Sequence, residues 1–335
     1  MGYRIEVLET GEVFEAGGEE AVLDAATRQG VSLRHECTFG TCGTCRVRLV
    51  EGDVRYDEPP MALSCAESEQ GFALMCQARA MGPLVISTAR ALAIVAPAER
   101  HAAVIKDVRP VTTEVLHLKI EIPGLAEPAW RPGQYMNVHL PDGTHRSFSM
   151  ASCPTGGIVD FHVRRIAGGR FTEERLSAMR PGDALEIELP LGAFGLHKSD
   201  YRPLVMVATG TGIAPIKSIL ESLLDDDDCP PVSLYWGMRT ETDLYLGDVF
   251  RSWRGRLYEF EYVPVLSRAD ASWPGRRGHV QQAVIADFPD LSEHGIYLCG
   301  SPAMIDEAKN EFVAHGALLD HLHIDAFTFQ QEFST

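Results

Sequence analysis

Apolar and polar positions change rhythm three times along this chain. In the first stretch, to about residue 90, Arg4-Ile5-Glu6-Val7-Leu8 and Glu12-Val13-Phe14 flank the turn Thr10-Gly11 and read as two short strands. Residues 21–29 carry helical spacing that stops at Gly30, a C-cap residue, and 46–50 alternate like a strand. From 101 to about 197, turn signals recur at Pro123-Gly124, Pro132-Gly133, Asp142-Gly143, Gly156-Gly157, Gly168-Gly169 and Pro181-Gly182. Frequent short strands of this kind predict a small antiparallel β-barrel, interrupted by one helix over 172–179. Beyond 200 the rhythm becomes βαβ. Strands at 204–208, 231–236, 258–265 and 295–299 alternate with helices at 215–224 and 303–315. That order predicts a parallel sheet with helices on both faces.

Length and charge sharpen this picture. A chain of 335 residues suits two or three domains, expected at 1–92, 101–198 and 200–335, with the small-residue stretch 91–98 as a link. Hydrophobic residues make up 45% and charged residues 23%, values of folded globular protein. A net charge of -17 argues against nucleic acid as partner. No run of 18 apolar residues is present to cross a membrane, and the N-terminus lacks a secretory pattern, so a cytoplasmic location is expected. The acidic run 225–228 reads as a solvated loop, and His321 and His323 as surface residues.

Three of the eight cysteines crowd into Cys37-Thr38-Phe39-Gly40-Thr41-Cys42-Gly43-Thr44-Cys45, a C-x4-C-x2-C run with plant-type 2Fe–2S spacing. Such a cluster needs four thiolates around an anionic core, and Gly40 and Gly43 let backbone N–H groups approach sulfur. Cys65 and Cys76 are the candidates for fourth ligand. Cys76 is preferred, because Leu74-Met75-Cys76-Gln77-Ala78 is an apolar, strand-like run, whereas Cys65 reads as loop or helix start. Zinc is disfavoured, since its ligands come in two short pairs and no second pair exists.

Through these motifs, residues 1–90 resemble a plant-type ferredoxin domain, and the rest resembles the ferredoxin–NADP reductase superfamily. The domain order is similar to reductase components of bacterial multicomponent oxygenases. Tyr235-Trp236-Gly237-Met238 and His279-Val280-Gln281-Gln282-Ala283-Val284 also resemble the CDP-6-deoxyhexose dehydrase reductase. The resemblance implies a β-grasp-type ferredoxin domain, a flavin-binding barrel and an NAD(P)H-binding domain. It implies FAD binding through Arg146-Ser147-Phe148-Ser149: Arg146 pairs with the pyrophosphate, Phe148 packs on the ring, and Ser149 stands where hydride arrives. Upstream lies Arg131-Pro132-Gly133-Gln134-Tyr135, another family signature. Gly169, Arg170, Phe171 and Thr172 open the barrel's helix, where N–H groups favour phosphate; the bland alternative is a capped turn with Thr172 as N-cap.

Thr209-Gly210-Thr211-Gly212-Ile213-Ala214-Pro215 follows a buried strand and precedes a helix, the setting of a dinucleotide turn, with Pro215 as first helical residue. Cys299 and Gly300 end a strand, and the resemblance sets Cys299 beside the nicotinamide, with Ser149 and Cys299 as the catalytic pair. Phe327, in Asp325-Ala326-Phe327, matches an aromatic near the flavin; Phe329 and Phe333 compete for that role. Arg239 and Arg268, each following a strand, suggest a site for a 2′-phosphate, unless both are surface arginines with Arg268 paired to Asp270. The family prior still favours NADH, with NADPH as the alternative. Cys153 and Cys229 have no assigned role.

The reading that follows is an electron-transfer reductase carrying 2Fe–2S and FAD. It is expected to pass electrons from NAD(P)H to a terminal oxygenase or an intermediate ferredoxin, with a Rieske aromatic-ring dioxygenase foremost. The alternatives are a reductase for a di-iron hydroxylase or a CDP-deoxysugar dehydrase, and a non-enzymatic redox-sensing module.

Overall fold

The computed structural model describes residues 2–35, 38–40, 43–88, 98–125 and 129–327. The chain groups into two units, residues 1–93 and 94–335. The expected link at 91–98 lies almost wholly outside the described residues, as do Cys37, Cys42, Phe329 and Phe333.

The first unit runs β1 (Gly2–Val7), β2 (Val13–Gly17), α1 (Val22–Arg28), β3 (Arg46–Glu51), β4 (Val54–Arg55), α2 (Cys65–Glu69), β5 (Phe72–Leu74), β6 (Arg79–Ala80) and β7 (Leu84–Ser87). Its main sheet has the order β2-β1-β7-β3-β5, with β1 and β7 parallel, while β4 and β6 pair separately. Period-two alternation turns Ile5, Val7, Phe14 and Ala16 inward, where they meet Val22, Leu23, Ala25 and Ala26 of α1. This is a β-grasp-type arrangement. Gly30 ends the helical stretch at φ +77°, a conformation only glycine adopts cheaply.

The second unit begins with β8 (Glu99–Pro110), β9 (Val115–Glu121), β10 (Tyr135–His139), β11 (His145–Ser149), β12 (Ile158–Arg164), α3 (Leu176–Ala178) and β13 (Ala184–Leu191). These strands form one antiparallel sheet, β11-β10-β13-β8-β9-β12, curled around Trp130, Met136, Phe161, Phe171 and Ile187. The helix expected at 172–179 starts earlier. A π-helical turn, Arg170–Arg175, precedes α3, and Gly169 rather than Thr172 holds the N-cap position. Thr172 is drawn inside because its hydroxyl accepts from Ile166 N at 3.1 Å.

Next come β14 (Leu204–Thr209), α4 (Ile213–Glu221), β15 (Val232–Met238), α5 (Gly247–Ser252), β16 (Glu261–Leu266), β17 (Arg276–Arg277), α6 (Val280–Asp287), β18 (Gly295–Gly300), α7 (Pro302–Ala314) and β19 (Leu322–Ala326). All six strands are parallel, in the order β17-β16-β15-β14-β18-β19. Successive residues serve opposite faces. Met206 and Ala208 pack with Ile216 of α4 and Phe250 of α5, whereas Val205 and Val207 pack with Val284 of α6 and Phe312 of α7.

Three further expectations change here. Pro215 is the third residue of α4, because a 3-10 turn, Gly210–Gly212, intervenes after β14. His321 and His323 are not surface residues: His321 Nδ1 lies 2.9 Å from Asp200 Oδ2, and His323 stacks between His197 and Tyr297. The run at 225–228 is not merely solvated, since Asp225 pairs with Arg256 at 2.6 Å and Asp226 with Lys198 at 2.7 Å.

Candidate functional site

In the first unit, Cys45 and Cys76 are both buried, and their Sγ atoms lie 3.1 Å apart. Cys76 does not sit in a strand. Strand β5 stops at Leu74, and Cys76 occupies the following turn, which α1 grips through Val22 N to Ala78 O at 2.9 Å and Leu23 N to Met75 O at 3.0 Å. Cys65 opens α2 and is exposed. The helix is fixed by a reciprocal cap: Ser64 Oγ accepts from Glu67 N at 3.2 Å, while Glu67 Oε2 accepts from Ser64 N at 2.7 Å. Glu67 is fully buried and paired with Arg46 at 2.6 Å. Two buried sulfurs in contact, in a unit whose sequence carries two more cysteines at 37 and 42, fit a thiolate-bound iron–sulfur group. Cys65, by contrast, is exposed on a capped helix.

In the barrel, Arg146, Phe148 and Ser149 lie on β11, opposite Val138, Met136 and Tyr135 of β10. Arg146 Nη1 donates to His145 O at 2.8 Å, which directs the guanidinium along the strand. Phe148 is half-buried, 5.7 Å from the Phe171 ring, and Ser149 is buried. The turn at Gly168–Thr172 has an anion already on it: Glu173 Oε2 accepts from Gly168 N at 2.6 Å. An N–H that draws a carboxylate in this way fits a phosphate oxygen equally well. A Cβ on Gly169 would stand 2.8 Å from Ile166 O, so no larger residue fits. Phe171 is core, and the Arg170 side chain lies outside the described set.

The dinucleotide turn sits where β14 is flanked by β15 on one side and β18 on the other, the topological switch point of the sheet. Its two glycines have different duties. Gly210 has φ +58° with nothing within 4 Å of a Cβ, so it serves the turn and leaves room outside. Gly212 lies against β18, where a Cβ would be 2.5 Å from Cys299 O. Its need is packing, not phosphate approach. Thr211 sits between them, half-buried. Trp236 Nε1 donates to Gly210 O at 3.0 Å and braces the turn from β15. Cys299 is fully buried and its Sγ lies 3.6 Å from Asp325 Oδ2, while Phe327 N donates to Gly300 O at 2.8 Å. The structure thus brings Gly210, Gly212, Cys299, Gly300 and Phe327 together.

Arg239 and Arg268 are also neighbours, Arg268 N donating to Arg239 O at 2.8 Å. Arg268 does not pair with Asp270; Arg277 instead binds the carbonyls of Ala269 and Asp270. The Arg239 side chain pairs with Glu114.

Sequence reasoning missed what joins β11 to the dinucleotide helix. Lys217 of α4 is buried and donates to Ala151 O at 2.8 Å, Ser218 Oγ donates to Ser152 O at 2.9 Å, and Cys153 Sγ lies 3.4 Å from Ser218 O. Lys217 also pairs with Glu221. A lysine set among Ile213, Ala214, Ile216, Ile219 and Leu220 was the available signal. Nearby, His162 is buried beside Tyr245 and His117, with ring centroids 5.2 Å and 6.0 Å away. Burial first, then Lys217 and His117, pushes its pKa down to about 3, so the imidazole is neutral.

A sulfur-lined turn in one unit, and in the other an anion-accepting barrel bolted to a dinucleotide helix, belong together in the iron–sulfur flavoprotein oxidoreductases. Three family models match in that order: a 2Fe-2S iron-sulfur cluster binding domain over 5–81, an oxidoreductase FAD-binding domain over 102–195 and an oxidoreductase NAD-binding domain over 206–310. The chain is 32% identical to the CDP-6-deoxy-L-threo-D-glycero-4-hexulose-3-dehydrase reductase of Yersinia pseudotuberculosis, covering 98% of this chain and 99% of that one. It is likewise 32% identical to reductase component 1 of terephthalate 1,2-dioxygenase from Comamonas sp., over 98% of each. The crystal structure of the Amycolatopsis cytochrome P450 reductase GcoB matches with TM-score 0.73 and 29% identity, over 97% of this chain and 98% of that one. The chain therefore belongs to the family of electron-transfer reductases that join a 2Fe–2S domain to FAD- and NAD-binding oxidoreductase domains. It is an oxidoreductase that takes 2Fe–2S, FAD and NAD(H). Among the described residues no helix is long and apolar enough to cross a membrane.

Proposed function

We propose that this reductase supplies electrons to the oxygenase of a multicomponent aromatic-ring dioxygenase, directly or through a small ferredoxin, in the cytoplasm. When bound, the nicotinamide supplies hydride, the flavin takes two electrons and releases them singly, and the cluster carries one at a time. The chain's own residues bind and orient, with residues 1–92, 101–198 and 200–335 as the cluster, flavin and NADH bodies. Cys37, Cys42, Cys45 and Cys76 hold iron. Arg146 neutralises the flavin pyrophosphate, Gly169, Arg170, Phe171 and Thr172 shape its turn, and Phe148 covers the ring. Ser149 offers a hydroxyl where hydride arrives. Gly210 and Thr211 admit the dinucleotide phosphates, and Gly212 seats their turn against β18. Cys299 and Gly300 close the crevice floor behind the nicotinamide, with Phe327 beside them.

The observation that carries this reading is the Lys217–Ala151 clasp. It ties the segment after Ser149 to the helix that opens at the dinucleotide turn, so the residues that would hold flavin and those that would hold nicotinamide share one joint. The partner reading is supported by the full-length likeness to the terephthalate dioxygenase reductase. The equally long likeness to the hexulose dehydrase reductase makes a deoxysugar dehydrase the second reading. Reconstitution with a Rieske oxygenase, a di-iron hydroxylase and a CDP-deoxysugar dehydrase separates them. Substrate-dependent NADH oxidation is expected with the first, and turnover only with another partner would replace it.

A further inference from the structure

The turn between β8 and β9 of the barrel delivers a carboxylate to the nucleotide sheet. Glu114 stands in that turn, and its two oxygens face arginines from different elements. Oε1 lies 3.0 Å from Nη1 of Arg239, just past β15, and Oε2 lies 3.1 Å from Nη2 of Arg164, the last residue of β12. The turn is stiff. Thr112 Oγ1 accepts from Glu114 N at 3.1 Å and from Val115 N at 3.0 Å, and Glu114 O accepts from Arg165 N at 2.7 Å. On the barrel side, Glu114 and Arg164 border a cavity of about 430 Å³ that extends to Ile166, Ala167 and Glu173 at the glycine turn.

In open parallel sheets the end of the second strand reads the ribose 2′ position; an acid there accepts a 2′-hydroxyl, and an arginine accommodates a 2′-phosphate. Arg239 holds that place here, with Arg268 beside it through the backbone bond described above. Yet Arg239 comes already neutralised, by a carboxylate from another part of the fold. We infer that Glu114 is a specificity-determining residue that makes this reductase favour a 2′-hydroxyl dinucleotide over a 2′-phosphate one; this rests on the reductase reading above. A 2′-phosphate, carrying close to two negative charges, must take Arg239 from Glu114. Arg164 keeps the displaced carboxylate nearby, where it repels the phosphate. Glu114 and Arg239 are each about half exposed, so the pair adds little to folding, and its effect falls on discrimination.

The test is equilibrium binding of 2′,5′-ADP and of 5′-AMP to the FAD-loaded full chain, measured by calorimetry. Glu114→Gln is expected to raise the affinity ratio of 2′,5′-ADP to 5′-AMP by about tenfold, and Glu114→Gln with Arg239→Ala to return it to the wild-type ratio. An unchanged ratio in Glu114→Gln protein of normal melting temperature and FAD content overturns the inference. So does a gain that survives loss of Arg239, or a Glu114→Gln protein that loses FAD. Flavin bleaching of the wild type by NADH is read separately: its failure would sink the reductase reading, whereas the affinity ratio speaks only to Glu114.

Discussion

Single residues decide two of the three binding places, and each decision can be checked by one atom or one methyl. Cys76 sits buried against Cys45, and Cys65 stands exposed on α2. Cys76→Ser is expected to abolish the visible and EPR signals of the cluster, and Cys65→Ser to leave both intact; the reverse pattern would overturn the ligand assignment. The two glycines of the dinucleotide turn give a second contrast. Gly212→Ala drives a methyl into Cys299 O and is expected to cost about 1–3 kcal/mol in thermal unfolding, with weaker NADH binding. Gly210→Ala meets no neighbour and carries only the strain of its positive φ, about 1–2 kcal/mol. Equal NADH affinity in both variants would show that the approach of Gly212 to β18 does not shape the site.

At the scale of elements, what was legible was what depends on local pattern. The βαβ alternation, the repeated turns of the barrel and the helix ending before Gly30 follow from rhythm and punctuation, and the sheets carry them. What was not legible depends on partners far away in sequence. Nothing around His323 announces that Tyr297 and His197 will stack on it, and nothing near Glu114 announces Arg239. Cys76 read as strand because Met75 and Ala78 are apolar, but those side chains are buried from a turn held by α1. Pro215 read as the first helical residue because an interposed 3-10 turn leaves no compositional mark. The packing of β12 against Tyr245 belongs to the same hidden class and sets a pH dependence. His162 has a folded pKa of about 3, below the unfolded value near 6.5, so the unfolded chain binds the extra proton between them. Its contribution is full above pH 6.5 and is lost as pH falls toward 3, by about 1.4 kcal/mol per pH unit. Wild type should therefore lose about 2 kcal/mol more than His162→Phe between pH 7 and pH 5. Parallel melting profiles over that range would refute it.

For the whole molecule, the division into two units predicts separable chemistry. Hydride enters within residues 94–335, whereas iron is held within residues 1–93. Stopped-flow mixing of the Cys76→Ser protein with NADH is expected to bleach the flavin at close to the wild-type rate, while transfer to the protein electron acceptor stops. Slow bleaching in a protein with full FAD content would mean that the cluster unit is needed for the first step.

The strand order of the nucleotide sheet bears on how the chain is made. Strand β14 is flanked by β15 and β18, yet β18 follows only after β16, β17 and α6 have been synthesised. A nascent chain on the ribosome can close the iron–sulfur unit early, because all its strands lie within the first 93 residues. The dinucleotide crevice has no such option. One edge of β14 stays open, and Gly212 has no floor to rest on, until Cys299 emerges. Synthesis interrupted between β17 and β18 therefore leaves a chain with a finished electron port, an unfinished entry port and an exposed apolar strand edge, the kind of surface that invites aggregation.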